Sequence, residues 1–169
     1  MINCLDSIED VIRDRDMLKK PIALCCGCFD LLHVGHIHLL SSAYLEKKNL
    51  EYKTRKENGL YYSALLVVAL NDDASVSFLK GPGRPIYTLE QRAALIAALR
   101  VVDYVISFNG NTIDLINKLK PAVYVKGDDR SIETMPERAA LEACGTKIVT
   151  IERLPGISTT KTILRARKL

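Results

Sequence analysis

Apolar residues along this chain follow two habits: short unbroken runs, and spaced repeats three or four apart. The runs Pro21–Cys26, Ala64–Leu70, Tyr104–Phe108, Ala122–Val125 and Lys147–Glu152 read as strands buried on both faces. Between them lie segments with helical spacing. Cys4–Lys19 carries Leu5, Ile8, Val11, Ile12 and Leu18, with Asp6 or Ser7 able to cap its start. Ile37–Leu45, Thr88–Leu99, Thr112–Leu119, Glu133–Ala143 and Lys161–Lys168 are helical on the same reading. Thr88 with Gln91 three residues on forms a capping-box pattern, Pro121 stops one helix and Cys144-Gly145 another. Strand and helix thus alternate, which predicts an α/β, Rossmann-like, doubly wound parallel sheet of about five strands with helices on both faces.

Residues 1–169 are expected to form one domain, with an N-terminal helix inside 1–20. Lys47–Tyr61 is rich in charge and contains Asn58-Gly59, so an exposed insertion over 47–62 is expected, its basic residues solvated. The stretch from Asn71 to Pro85 is given no regular element.

The longest apolar stretch, Ser63–Leu70, is far too short to span a bilayer, and Met1–Asp6 lacks the basic start and apolar core of a secretory leader. A cytoplasmic protein without membrane partners is expected. The net charge of +4 suits an anionic small molecule and is too weak and dispersed to argue for nucleic acid. Five cysteines without a leader point to a reducing compartment. Cys25, Cys26 and Cys28 crowd one strand and its turn, no second Cys or His pair stands at zinc spacing, and they read as small buried residues rather than metal ligands.

The chemistry concentrates in Gly27-Cys28-Phe29-Asp30-Leu31-Leu32-His33-Val34-Gly35-His36, where a glycine turn joins the first strand to a helix start. Backbone N–H groups and the positive end of the helix dipole make such a joint an anion site. His33 and His36 could be core histidines, metal ligands or phosphate-binding groups. With no carboxylate at ligand spacing, phosphate is favoured over metal. His38 is placed on another side of the helix and read as structural. Ser158-Thr159 reads as a helix N-cap that can also grip phosphate. Lys80 and Arg84, in a glycine/proline loop, are either a solvated turn or movable cations for a triphosphate. Arg92 and Arg153 are surface charges or site residues. Asp30 can cap the following helix, bond a substrate or help hold a metal. The His turn, the Lys126-Gly127-Asp128-Asp129 segment and the loop entering Ser158 all follow strand carboxyl ends, where ligands bind in such sheets.

The His33-Val34-Gly35-His36 motif together with Gly156-Ile157-Ser158-Thr159-Thr160 resembles the HxGH and ISTT motifs of the cytidylyltransferase-like superfamily of nucleotidyltransferases. Within it, Asn71–Val76, Leu79–Ile86, Leu89–Arg92, Val102–Val105 and Val125–Gly127 are most similar to the D-glycero-D-manno-heptose 1-phosphate adenylyltransferases, which make ADP-heptose from the sugar phosphate and ATP. Gly127-Asp128-Asp129 and Arg153 look more like the glycerol-3-phosphate cytidylyltransferases, so a CTP-dependent enzyme acting on a small phosphate is the alternative. A non-catalytic nucleotide-binding module is the alternative of another class.

The resemblance implies attack by a sugar-phosphate oxygen on the α-phosphorus of ATP, with Mg²⁺ carried by the triphosphate and no metal site built from the protein. It implies that His33 and His36, with the helix start near Gly35, stabilise the α-phosphate and that Lys80 draws phosphates inward. Arg92 and Arg153 assist, and Ser158 and Thr159 hold the β- and γ-phosphates. Gly27, Cys28 and Phe29 approach the nucleotide through backbone, and Lys126, Gly127, Gly156 and Ile157 complete its pocket. Asp30, Asp128 and Arg84 contact substrate or base. A homodimer using Leu89–Leu99 and a separate sugar kinase upstream are also expected.

Overall fold

A computed structural model describes residues 4–58, 63–128 and 131–168. Its elements are α1 (Ile8–Met17), β1 (Ile22–Gly27), α2 (Val34–Asn58), β2 (Leu65–Asn71), α3 (Asp73–Lys80), α4 (Leu89–Ala97), β3 (Tyr104–Phe108), α5 (Thr112–Leu119) and β4 (Val123–Gly127). A 3-10 turn (Ile132–Thr134), α6 (Arg138–Ala143), β5 (Lys147–Ile151) and α7 (Thr159–Ala166) complete the order. The five strands form one parallel sheet in the order β3-β2-β1-β4-β5. β1 pairs with β2 from Ile22↔Leu65 to Gly27↔Leu70 and with β4 at Ala23↔Val123 and Leu24↔Tyr124. The chain steps outward from β1 to β3, then crosses to β4. The reversal leaves a crevice beyond the carboxyl ends of β1 and β4, where this fold class holds ligands.

Strand alternation sorts the core into two layers. Ile22, Leu24, Leu65, Val67 and Ala69 face one side, with Val11 of α1, Leu115, Ile116 and Leu119 of α5 and Leu141 of α6. Ala23, Cys25, Leu66, Val68 and Leu70 face the other, with Leu40 and Ala43 of α2 and Ala93 and Ile96 of α4. A strand buried on both faces cannot show apolar–polar alternation, which is why β1 and β2 read as unbroken runs. α4 therefore spends its apolar face on the sheet, Leu95 being left partly exposed.

Two expectations are corrected. Residues 47–58 are not a separate insertion but the continuation of α2, and most of the side chains described there are exposed, as expected, Lys47 and Glu51 excepted. Lys47 is buried because its Nζ donates to Asp103 Oδ2 at 2.6 Å. Glu51 is buried because it accepts from the Ala64 N–H at 3.1 Å and from Lys48 at 2.7 Å, fastening the helix to the start of β2. Lys and Glu propagate a helix well, and their charge masks burial when each finds a partner. Residues 59–62 of that expectation, and Asp129, lie outside the described residues. Secondly, Asp73–Lys80 is helical: the Asp72 carboxylate accepts from the Ser75 N–H at 2.7 Å and caps α3, whose eight residues are too few to display a period. The helix expected over Glu133–Ala143 is instead a 3-10 turn followed by the shorter α6.

Candidate active site

Gly27 ends β1, and the next turn runs through two left-handed residues, Phe29 (φ 49°) and Leu31 (φ 52°). This conformation is uncommon without glycine and needs surroundings that enforce it. Phe29 is buried, and a Cβ on Gly27 would lie 3.0 Å from its ring, so that glycine makes room for the turn. Between them sits Asp30, only 1% exposed.

His33 and His36 stack, ring centroids 3.8 Å apart and planes 10° from parallel. A Cβ on Gly35 would lie 3.1 Å from the His33 ring, so the glycine between the histidines lets His33 fold over the start of α2. Each ring Nδ1 faces the other residue's backbone N–H at 3.4 Å. An Nδ1 that accepts leaves the proton of the neutral ring on Nε2. Burial, and secondarily the neighbouring His33, pulls His36 down to about 4, and burial lowers His33 as well. At neutral pH the pair is therefore two uncharged donors.

The Asp30 carboxylate accepts from Arg84 Nε at 2.6 Å, the Ile86 N–H at 2.9 Å and the Tyr87 N–H at 3.0 Å. Burial pushes its pKa up, but the Ile86 and Tyr87 N–H groups and Arg84 together outweigh that and hold it below the ordinary value. Its carbonyl accepts the Thr159 hydroxyl at 2.6 Å. The expectation that Asp30 contacts substrate is thus corrected: its oxygens are committed to the 81–88 loop and to α7. Arg92 is corrected too. It is completely buried, donating to the carbonyls of Tyr87, Cys28 and Asn71 and to Asp73 Oδ1, the last at 2.7 Å. A guanidinium with its donors spent this way is a rivet joining the β1 turn, the end of β2 and the 81–88 loop.

Opposite the histidines, Ser158 caps α7 by accepting from the Lys161 N–H at 3.2 Å. The first N–H groups of a helix have no partner within it, so this end is suited to an anion. Asp128 Oδ1 accepts from both the backbone and Nε of Arg153, the latter at 3.3 Å, a pair open to solvent on the rim.

These parts enclose one cavity of about 290 Å³. Of the residues singled out in the sequence, Cys28, Phe29, Asp30, His33, Gly35, His36, Lys80, Arg84, Gly127, Arg153, Ile157, Ser158 and Thr159 line it. Asp128 and Gly156 line an adjoining recess with Arg153 and Ser158, Gly27 and Lys126 face a different groove, and Arg92 lies behind the wall. His38, read as structural, also lines this cavity. Ile151, Glu152 and Leu154 were missed. Their one signal is position, at and just beyond the end of β5. Among the described residues no helix is long and apolar enough to cross a membrane, and no group of three or more His, Cys, Asp or Glu could hold a metal ion.

The chain is 37% identical over 165 residues to "Bifunctional protein HldE" of Syntrophotalea carbinolica and, over the same length, to its namesake in Pseudomonas putida. Both alignments cover 97% of this chain but only 30% and 32% of the relatives, so the chain spans less than a third of their length. A crystal structure of the lipopolysaccharide core biosynthesis protein from Thermoplasma volcanium superposes with a TM-score of 0.58 at 26% identity, covering 79% of this chain and 98% of that one. Pantoate-beta-alanine ligase from Francisella tularensis shares the fold at a TM-score of 0.56 and 15% identity, covering 96% of this chain and 76% of that one. The cytidylyltransferase-like family model matches residues 24–165, the span from the first strand to the last helix that builds the cavity. A match of that extent, over the segments that carry both motifs, makes this chain a member of the cytidylyltransferase-like family of nucleotidyltransferases.

Proposed function

We propose that this domain transfers AMP from ATP to a sugar 1-phosphate, heptose 1-phosphate above all, releasing pyrophosphate and ADP-heptose. The observation that carries the reading is the stacked His33/His36 pair facing the α7 start across one cavity, with Lys80 at its edge. A relative named for lipopolysaccharide core biosynthesis supports a sugar-bearing acceptor.

The acceptor's phosphate oxygen bonds to the α-phosphorus while the bond from that phosphorus to the bridging oxygen breaks, and pyrophosphate leaves with the electron pair. A phosphate monoester is anionic near neutral pH, so no strong base is required. What remains is alignment and stabilisation of displaced charge. The two Nε2–H groups donate to α-phosphate oxygens, a role for which neutral rings of fixed tautomer are suited. Lys80, exposed and mobile-stemmed at the end of α3, neutralises phosphate charge. The α7 N-terminus receives the departing pyrophosphate. Ser158 and Thr159 contribute through this backbone, since their hydroxyls already serve the cap and the Asp30 carbonyl. Arg153 reaches the nucleotide from the rim. Mg²⁺ would be carried by the triphosphate and would supply neutralisation of its phosphate charge. A kinase activity must supply the sugar phosphate.

The test is pyrophosphate release with Mg²⁺ across ATP, CTP, GTP and UTP, each paired with heptose 1-phosphate and glycerol 3-phosphate. Release with ATP and heptose 1-phosphate is expected. Release confined to CTP and glycerol 3-phosphate would replace this reading.

A further inference from the structure

Across Lys80 from the nucleotide cavity, a second groove of about 460 Å³ opens over the carboxyl ends of β1 to β4. Lys80 and Gly127 line both, so the two spaces meet at the crevice between β1 and β4. A nucleotide in the first and an acceptor in the second would meet there, phosphate to phosphate, beside one ammonium group.

The far wall is polar where a sheet end is usually capped by apolar side chains. Lys126 and Glu137, with side chains 12% and 11% exposed, face each other at 3.5 Å, and the Tyr124 hydroxyl reaches the same Glu137 Oε1 at 3.4 Å. Both distances are at the limit of a hydrogen bond. The comparably buried Arg84–Asp30 pair closes to 2.6 Å. Burying two charges without closing them leaves their desolvation uncompensated. Such a pair keeps capacity for a ligand: the ammonium has donors to spare, and among the described residues no hydrogen bond ends on Glu137 Oε2. A sugar hydroxyl both donates and accepts, so it can sit between a carboxylate and an ammonium and satisfy each.

We infer that this groove is the acceptor subsite and that Lys126 and Glu137 read the hydroxyls of a polyhydroxylated phosphate ester, an inference that rests on the nucleotidyl transfer proposed above. Lys80 holds the acceptor's phosphate at the junction. Lys126, expected among the nucleotide-binding residues, is thereby a specificity residue for the other substrate.

The experiment uses Glu137→Gln, which keeps shape, and Ile113→Trp, which fills the groove mouth from a half-exposed position without touching the pair. Steady-state pyrophosphate release is measured with ATP and heptose 1-phosphate varied separately. Glu137→Gln should raise KM for the sugar phosphate about tenfold or more by weakening one charge-assisted hydrogen bond, and Ile113→Trp should raise it about tenfold or more by occluding the groove, with KM for ATP within twofold in both. A rise in KM for ATP instead, or sugar-phosphate KM unchanged in both, overturns the inference. Titration calorimetry of heptose 1-phosphate into the unaltered protein and both variants separates the two readings. Binding weakened in the variants supports the groove even if turnover with ATP is absent and the proposed reaction fails. Binding equal in all three, or absent, overturns it.

Discussion

Replacing Asp30 by Asn tests whether this residue belongs to the scaffold or to the substrate. The change is nearly isosteric but replaces one of two accepting oxygens with an amide NH₂: Oδ2 accepts from Arg84 Nε and the Ile86 N–H, and Oδ1 accepts from the Tyr87 N–H. The Arg84 side chain, 12% exposed, then loses its counter-charge. Removing one partner of a buried pair costs about 3–5 kcal/mol. For a domain of this size that is a fall in Tm of about 10 °C. The freed 81–88 loop begins at Lys80, so turnover should drop about 10²-fold through lost positioning. Thermal unfolding followed by circular dichroism, with pyrophosphate release on the folded fraction, reads both. Because the folded pKa of Asp30 lies below its ordinary value, its stabilisation is present above pH 4 and disappears as pH falls through the folded value. The variant should therefore lose less stability than the parent on acidification. A variant that melts within about 2 °C of the parent and shows only a raised substrate KM would refute the scaffold assignment.

Gly35→Ala should leave stability near the parent, since alanine favours helix, yet lower kcat about tenfold or more by crowding the His33 ring, a split visible by comparing melting with turnover. His36→Ala should lower kcat about 10²-fold or more with the fold intact by circular dichroism. The His36 pKa is depressed in the folded chain, so the unfolded chain binds more protons between about 4 and 6.5, and stability should rise with pH across that window, less steeply in His36→Gln. Nucleotide binding near pH 6 should take up protons as the bound phosphates lift that pKa, measurable by calorimetry in buffers of different ionisation enthalpy. Lys47→Met should destabilise by about 1–2 kcal/mol in a urea titration, the loss of one charge-assisted hydrogen bond to a part-exposed carboxylate, whereas a solvated lysine would tolerate the change.

The parallel sheet was legible because β1 and β2 are buried on both faces and announce themselves as apolar runs. The two histidines were legible because a glycine turn before a helix is a local signal. What escaped was non-local. Arg92 and Asp30 carry the charges of site residues, and only the fold reveals partners such as the Cys28 carbonyl for Arg92 and the Ile86 and Tyr87 N–H groups for Asp30, each more than fifty residues away. Lys47 and Glu51 look solvated until Asp103 and the Ala64 N–H are brought to them.

α7 has no buried residue, yet its Thr159 hydroxyl reaches the carbonyl of Asp30, 129 positions earlier. An element held so lightly belongs to the least protected end of the hydrogen-exchange spectrum, opening many times for each global unfolding. Each opening would separate the pyrophosphate-binding end from the histidines. A bound triphosphate bridging both halves should slow exchange at the α7 amides well before it changes exchange in the sheet.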